Sequence, residues 1–311
     1  MSKLLLKPDI EAYIPHRFEN QLIDTATPGE KASFSVEIPE NDPYNRSIFL
    51  QEIEIGKPAI IMETILVELL ALGMIIKEGP TPDGILVFFA SIDSFEYHKP
   101  ARSHCVTSGV VFTVKKRERF FKCQGHIEQL GESNAQATLM ASAFSNSDSA
   151  PKSPAADTVL DLPMNTHQLV DKRQWRRNPD LVICDAIRLA SDTALIGEYC
   201  FHDQHPLIRG HFPNMPVMMG VLQWQSVADL ALAYAFDQSI AHSKPVTHTY
   251  CAKLYNQTGL LISVITHCVV SLWTQVPGFY PHSRILKTDK IVFKNRVVPG
   301  DTVYTHSVRV D

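Results

Sequence analysis

Apolar positions along the chain switch between two periods, and the switches mark the expected elements. Lys31–Pro39 (KASFSVEIP) alternates apolar and polar residues, the pattern of a strand with one buried face. Residues 61–77 (IMETILVELLALGMIIK) are apolar almost all round, which predicts a buried helix. Strand-like runs follow at 85–100, 107–115, 120–130 and 135–143, with a hairpin around the KKRER sequence. Residues 144–158 (FSNSDSAPKSPAADT) are rich in Ser, Pro and Ala, lack an apolar period, and are expected to form an exposed linker.

The plan then repeats. Strands are expected at 181–190 and 193–201. After Gly220, Val221, Leu222, Val227, Ala228, Leu230 and Leu232 recur at helical spacing. A hairpin at 249–272 turns around Asn256-Gln257-Thr258-Gly259, and strand-like sequence closes the chain at 291–310. The repeat divides the chain into a first unit at 1–143, a linker at 144–172, and a second unit at 173–311 with an insertion at about 236–284.

Composition narrows the function classes. At 311 residues two domains have room for ample cores, and 20% charged with 45% hydrophobic residues is ordinary for a globular protein. A net charge of −4 gives no sign of nucleic-acid binding. Cys105, Cys123, Cys184, Cys200, Cys251 and Cys268 are scattered singly, without metal-ligand spacing, so free thiols, no metal and no cofactor are expected. The first residues carry too short an apolar run for a signal peptide, and Glu63 and Glu68 interrupt the longest one, so no membrane span and a cytoplasmic location are expected.

The most informative stretch is HPLIRGHFPNMP, residues 205–216, directly ahead of the second apolar helix. Prolines stiffen it, and it holds His211 just before a helix N-terminus, where unpaired backbone N–H groups can polarise a carbonyl. Gly210-His211-Phe212-Pro213, Pro216 and Gly220-Val221-Leu222 resemble the GHFPxxPxxPGVLxxE signature of the 3-hydroxyacyl-(acyl carrier protein) dehydratases. Two departures stand out. Met219 replaces a proline, and Gln225 stands where the family has its acidic residue. Pro15-His16-Arg17 with Leu22-Ile23-Asp24, and Val297-Val298-Pro299-Gly300-Asp301, resemble further segments of the same family.

In the first unit, Gly56-Lys57-Pro58 sets the register and puts Ile53 at the histidine position. Glu68 falls at the acid position with one extra residue in between. The resemblance implies an α+β double hot-dog fold, two curved antiparallel sheets each wrapped around a long apolar helix and packed as a pseudo-dimer. The family's homodimeric sites take histidine from one subunit and the acid from the other. Here that implies one site pairing His211 with Glu68, and an inert counterpart holding Ile53 and Gln225. The implied reaction is elimination of water from a 3-hydroxyacyl thioester to a trans-2-enoyl thioester in fatty-acid or polyketide-type biosynthesis. His211 would be the base, Glu68 the acid, and the Gly220 N–H an oxyanion donor; Phe212, Pro213, Val221 and Leu222 would contact substrate, with Leu72 lining the acyl path.

The implied partner is an acyl carrier protein bearing a phosphopantetheine-linked acyl chain, and a homo-oligomer is left open. Lys115-Lys116-Arg117-Arg119 and Arg176-Arg177 are the basic candidates for docking it. Glu63 and Asp229 are backup acids, and His16 and Arg17 are expected to be structural. The rival reading is a non-catalytic hot-dog protein that binds an acyl carrier or partner enzyme; a hot-dog thioesterase is the third.

The family usually carries two further strands after VVPGD, yet this chain stops at Asp311. The 249–272 hairpin is expected to supply them from an earlier place in the chain; the alternative is a sheet edge left for a partner.

Overall fold

The computed structural model describes residues 3–80, 82, 85–145, 168–213, 215–238 and 240–311. Most of the expected linker, and Asn214 of the NMP turn, lie outside the described residues. The architecture is α+β: one large antiparallel sheet and two long buried helices, Glu63–Glu78 and Gly220–Asp237. The two helices touch each other. The first also packs on strands Lys31–Val36, Thr107–Arg117 and Glu132–Ser145, and the second on His282–Phe293, Leu261–Trp273 and Ala194–Cys200.

Both helices are apolar on nearly every side because each is enclosed. Leu66, Leu69, Leu70 and Leu72 of the first, and Val221, Leu222, Trp224 and Leu230 of the second, are fully buried. No helix among the described residues is long and apolar enough to cross a membrane. All six cysteines are free.

Among the described residues the sheet has 14 strands, seven from each half. Its seam pairs Ile85–Tyr97 with His282–Phe293, antiparallel, with Ile92 opposite Ile291 and Phe95 opposite Thr288. Outward from the seam in the first half run Glu132–Ser145, Phe120–Gln129, Thr107–Arg117 and Lys31–Val36. Outward in the second half run Leu261–Trp273, Val246–Asn256, Thr302–Arg309 and Ala194–Cys200.

The spatial orders match while the chain orders do not. After its helix, the first half lays down the seam strand and then returns to it by a three-strand meander. The second half lays down the hairpin Val246–Asn256 and Leu261–Trp273 first, then the seam strand, then Thr302–Arg309. The hairpin thus occupies the two places that Glu132–Ser145 and Phe120–Gln129 hold in the first half. Both of its strands are fully paired, so this hairpin is an integral part of the sheet.

Residues just ahead of 173 already make contacts with the second half. Gln168–Leu169 pairs with Ala186–Ile187, and Lys172 forms an ion pair with Asp185, 2.6 Å. Trp175 is fully buried.

Candidate active site

Each long helix begins the same way. Met62 and Met219 are the N-caps, with φ, ψ of −55°, 137° and −57°, 135°. Glu63 and Gly220 are therefore equivalent first helical residues, and Glu68 and Gln225 are both sixth. The extra residue between Pro58 and the helix is absorbed before the cap, and the two helices stay in register.

Two remote segments are bound together beside Glu68. The Arg17 N–H donates to the Gly210 carbonyl at 2.9 Å, and the Asn20 side-chain amide donates to the Leu207 carbonyl at 3.2 Å. Arg209 closes the junction with an ion pair to the fully buried Glu19, 2.7 Å, and lies over the Phe18 ring. Gly210 makes this approach feasible: a Cβ there would overlap the Arg17 carbonyl oxygen and the Asn20 amide. Phe18 and Phe212, which follow the two histidine positions closely, take left-handed φ values of +53° and +56°. Such a conformation costs a bulky residue about 1–3 kcal/mol and persists only where its surroundings enforce it. Here the enforcement is the junction itself, together with Phe212 stacked on Phe88.

The result is a buried cluster of three. One ring nitrogen of His16, one of His211 and a carboxylate oxygen of Glu68 lie within 4.8 Å of one another. Their exposures are 3%, 6% and 5%. His16 Nε2 stands 3.7 Å from Glu68 Oε1, and the two imidazole centroids are 5.1 Å apart. His211 comes from the second half, Glu68 and His16 from the first. His16, expected to be structural, is thus a member of the cluster; its approach depends on contacts nearly two hundred residues apart in sequence, which no local pattern announces.

Burial sets the protonation states. His211 Nδ1 lies 2.7 Å from the Val217 carbonyl. A carbonyl only accepts, so Nδ1 carries the proton and Nε2 the lone pair. Desolvation lowers the His211 pKa to about 4, against the smaller opposing effect of that hydrogen bond. Glu68, with no compensating partner, is pushed up by desolvation to about 7. His16 is held well below its usual range by desolvation and by the neighbouring His211 and Arg17. Near neutral pH the cluster therefore holds two neutral imidazoles and a carboxyl group that is about half protonated at pH 7 and more so below it.

Two imidazoles and a carboxylate are a donor set that divalent metals accept. Zinc, however, would draw three such ligands to about 3.4 Å from one another. A single oxygen atom held by hydrogen bonds also fits within these distances.

The counterpart position is filled differently. Ile53 is buried, its carbonyl taken by the Tyr280 N–H at 2.9 Å. The Gln225 amide donates to Asp229 at 2.9 Å, the Ile183 N–H donates to the same carboxylate at 2.7 Å, and Asp229 forms an ion pair with Arg177. The Arg177 side chain is 2% exposed, so it is held inside the protein and cannot be part of a docking surface. Lys115, Lys116, Arg117 and Arg119 are exposed. Glu63 accepts the Ile285 N–H at 2.8 Å and is raised by burial. Neither backup acid belongs to the cluster with His211.

The remaining expected contacts lie around the second helix start. Phe212, Val221 and Leu222 are buried and Pro213 is exposed. Gly220 packs against the Phe293 ring, which a Cβ would meet at 2.9 Å. As the first helical residue, its N–H is outside the helix ladder.

No protein-family model matches the chain, and no curated protein matches it. Solved structures are similar at low identity. The dehydratase domain of RzxB from Pseudomonas fluorescens is 9% identical, with a TM-score of 0.45, covering 93% of this chain and 99% of its own. The dehydratase heterocomplex ApeI:P from Xenorhabdus doucetiae is 12% identical, TM-score 0.36, covering 43% and 89%. A thioesterase from Haemophilus influenzae is 13% identical, TM-score 0.31, covering 41% and 80%. Likenesses of this size leave the chemistry to be read from the side chains themselves.

Proposed function

We propose that the chain is a double hot-dog hydro-lyase that removes water from a 3-hydroxyacyl thioester carried on an acyl carrier protein. The observation that carries this reading is the meeting of His211 and Glu68 across the two halves. Burial favours the neutral imidazole and the protonated carboxyl, the states a syn elimination needs at its two ends.

His211 Nε2 takes the α-proton and Glu68 gives its proton to the departing hydroxyl. A charged imidazole is costly in a buried site, and the enolate forming beside it offsets that cost. The Gly220 N–H is suited to accept this charge by donating to the thioester oxygen; a donor of this kind typically contributes about 100-fold in rate. Pro213 is at the surface, whereas Phe212, Val221, Leu222 and Leu72 are buried and offer apolar surface to an acyl chain. The Ile53 and Gln225 position has neither base nor acid and is inert.

The test is turnover of 3-hydroxyacyl and crotonyl thioesters by the intact chain. His211→Ala and Glu68→Gln should each lower kcat/KM by about 10²–10⁴-fold. Parent-like rates in both variants would refute the assigned roles. Absence of turnover by the parent with any chain length or carrier would replace the enzyme with a carrier-binding protein.

A further inference from the structure

His16 is the group in the cluster that the two-residue chemistry above leaves idle. Both of its ring nitrogens are buried without a hydrogen-bond partner, whereas His211 has the Val217 carbonyl to fix its tautomer. A buried imidazole with nothing to bond to is costly unless a guest completes it. It is also held deliberately: the Arg17–Gly210, Asn20–Leu207 and Glu19–Arg209 contacts all fall within four residues of it.

The spacing admits an oxygen atom as the guest. Three atoms lying within 4.8 Å of one another have a common point no more than about 2.8 Å from each, the length of a hydrogen bond to oxygen. We infer that His16 is a third catalytic residue, which donates a hydrogen bond from Nε2 to the departing hydroxyl while Glu68 protonates it. This rests on the dehydratase reading and assigns the oxygen a place in the site.

The atoms balance as follows. The Cα–H bond breaks, its proton goes to His211 Nε2, and its electron pair forms the Cα–Cβ double bond. The Cβ–O bond breaks with its pair to oxygen, which takes the Glu68 proton and becomes water. Through that step His16 keeps its own proton and stabilises charge on oxygen. The new water, within reach of all three groups, then passes a proton from the His211 imidazolium to the Glu68 carboxylate, which restores both.

A role at the oxygen predicts dependence on the leaving group. The parent, His16→Leu and His16→Asn are compared on a 3-hydroxybutyryl thioester and on a 3-chlorobutyryl thioester, whose chloride needs no proton. His16→Leu should lower dehydration by about 100-fold or more, the effect of losing one such donor, and chloride elimination by less than about threefold. His16→Asn, which retains an N–H donor, should recover dehydration to within about tenfold of the parent. Equal losses on both substrates, or no loss on either, would overturn the role of His16 and leave the dehydratase reading in place. If the parent turns over neither substrate, the dehydratase reading falls and the role of His16 falls with it. Thermal unfolding of each variant identifies any that fails to fold, and if His16→Leu fails, His16→Ala, which also lacks the donor, is compared on both substrates in its place.

Discussion

At the scale of single residues, the chemistry follows from desolvation acting in opposite directions on two groups. Burial favours the neutral form of both, lowering His211 to about 4 and raising Glu68 to about 7. The base is competent above the lower value and the acid below the upper one. Plotted against pH, kcat/KM should therefore stay flat from about 4 to about 7 and fall tenfold per unit above that, as Glu68 ionises. In Glu68→Gln the remaining activity should lack the alkaline fall; an alkaline fall unchanged in that variant would assign it to another group. Glu68 was legible in the sequence as an acid embedded in an apolar helix, a placement that requires a partner or a raised pKa. The role of His16 was not legible, because Pro15-His16-Arg17 reads equally well as a packed loop.

Between elements, the site depends on a junction rather than on either helix. The His16 and His211 segments meet backbone to backbone, and Gly210 is the residue whose lack of a side chain allows it. Gly210→Ala should separate them. We expect a loss of about 1–3 kcal/mol in unfolding free energy, by denaturant titration, with a fall in kcat/KM of more than tenfold. A stable variant with parent activity would mean that the junction is not what positions the imidazoles. The sequence reading paired Gly210 with His211 as part of one motif, yet the constraint on Gly210 comes from Arg17 and Asn20 in the other half. The extra residue before Glu68 was a similar case: the matched Met62 and Met219 caps remove the apparent slip.

Across the whole molecule, two halves with one spatial plan have diverged in chain order and in chemistry. That the 246–273 hairpin takes the two sheet positions that Phe120–Gln129 and Glu132–Ser145 hold in the first half needed the order of strands in space. The short strand Gln168–Leu169 escaped notice because two residues carry no period. The sequence shows Ile53 and Gln225 where the resemblance has a histidine and an acid. That Gln225 bonds to an Asp229 paired with buried Arg177 was not legible, since the pair spans 52 positions and joins a loop to a helix.

The central claim is that His211 and Glu68, from opposite halves, act in one site, and a double-mutant cycle in kcat/KM tests it most directly. Groups acting in one concerted step are strongly non-additive. The variant carrying both His211→Ala and Glu68→Gln should be about as slow as the slower single variant. If the double variant instead lost the full product of the two single effects, the two residues would be acting independently, and the account of a single shared site would be contradicted.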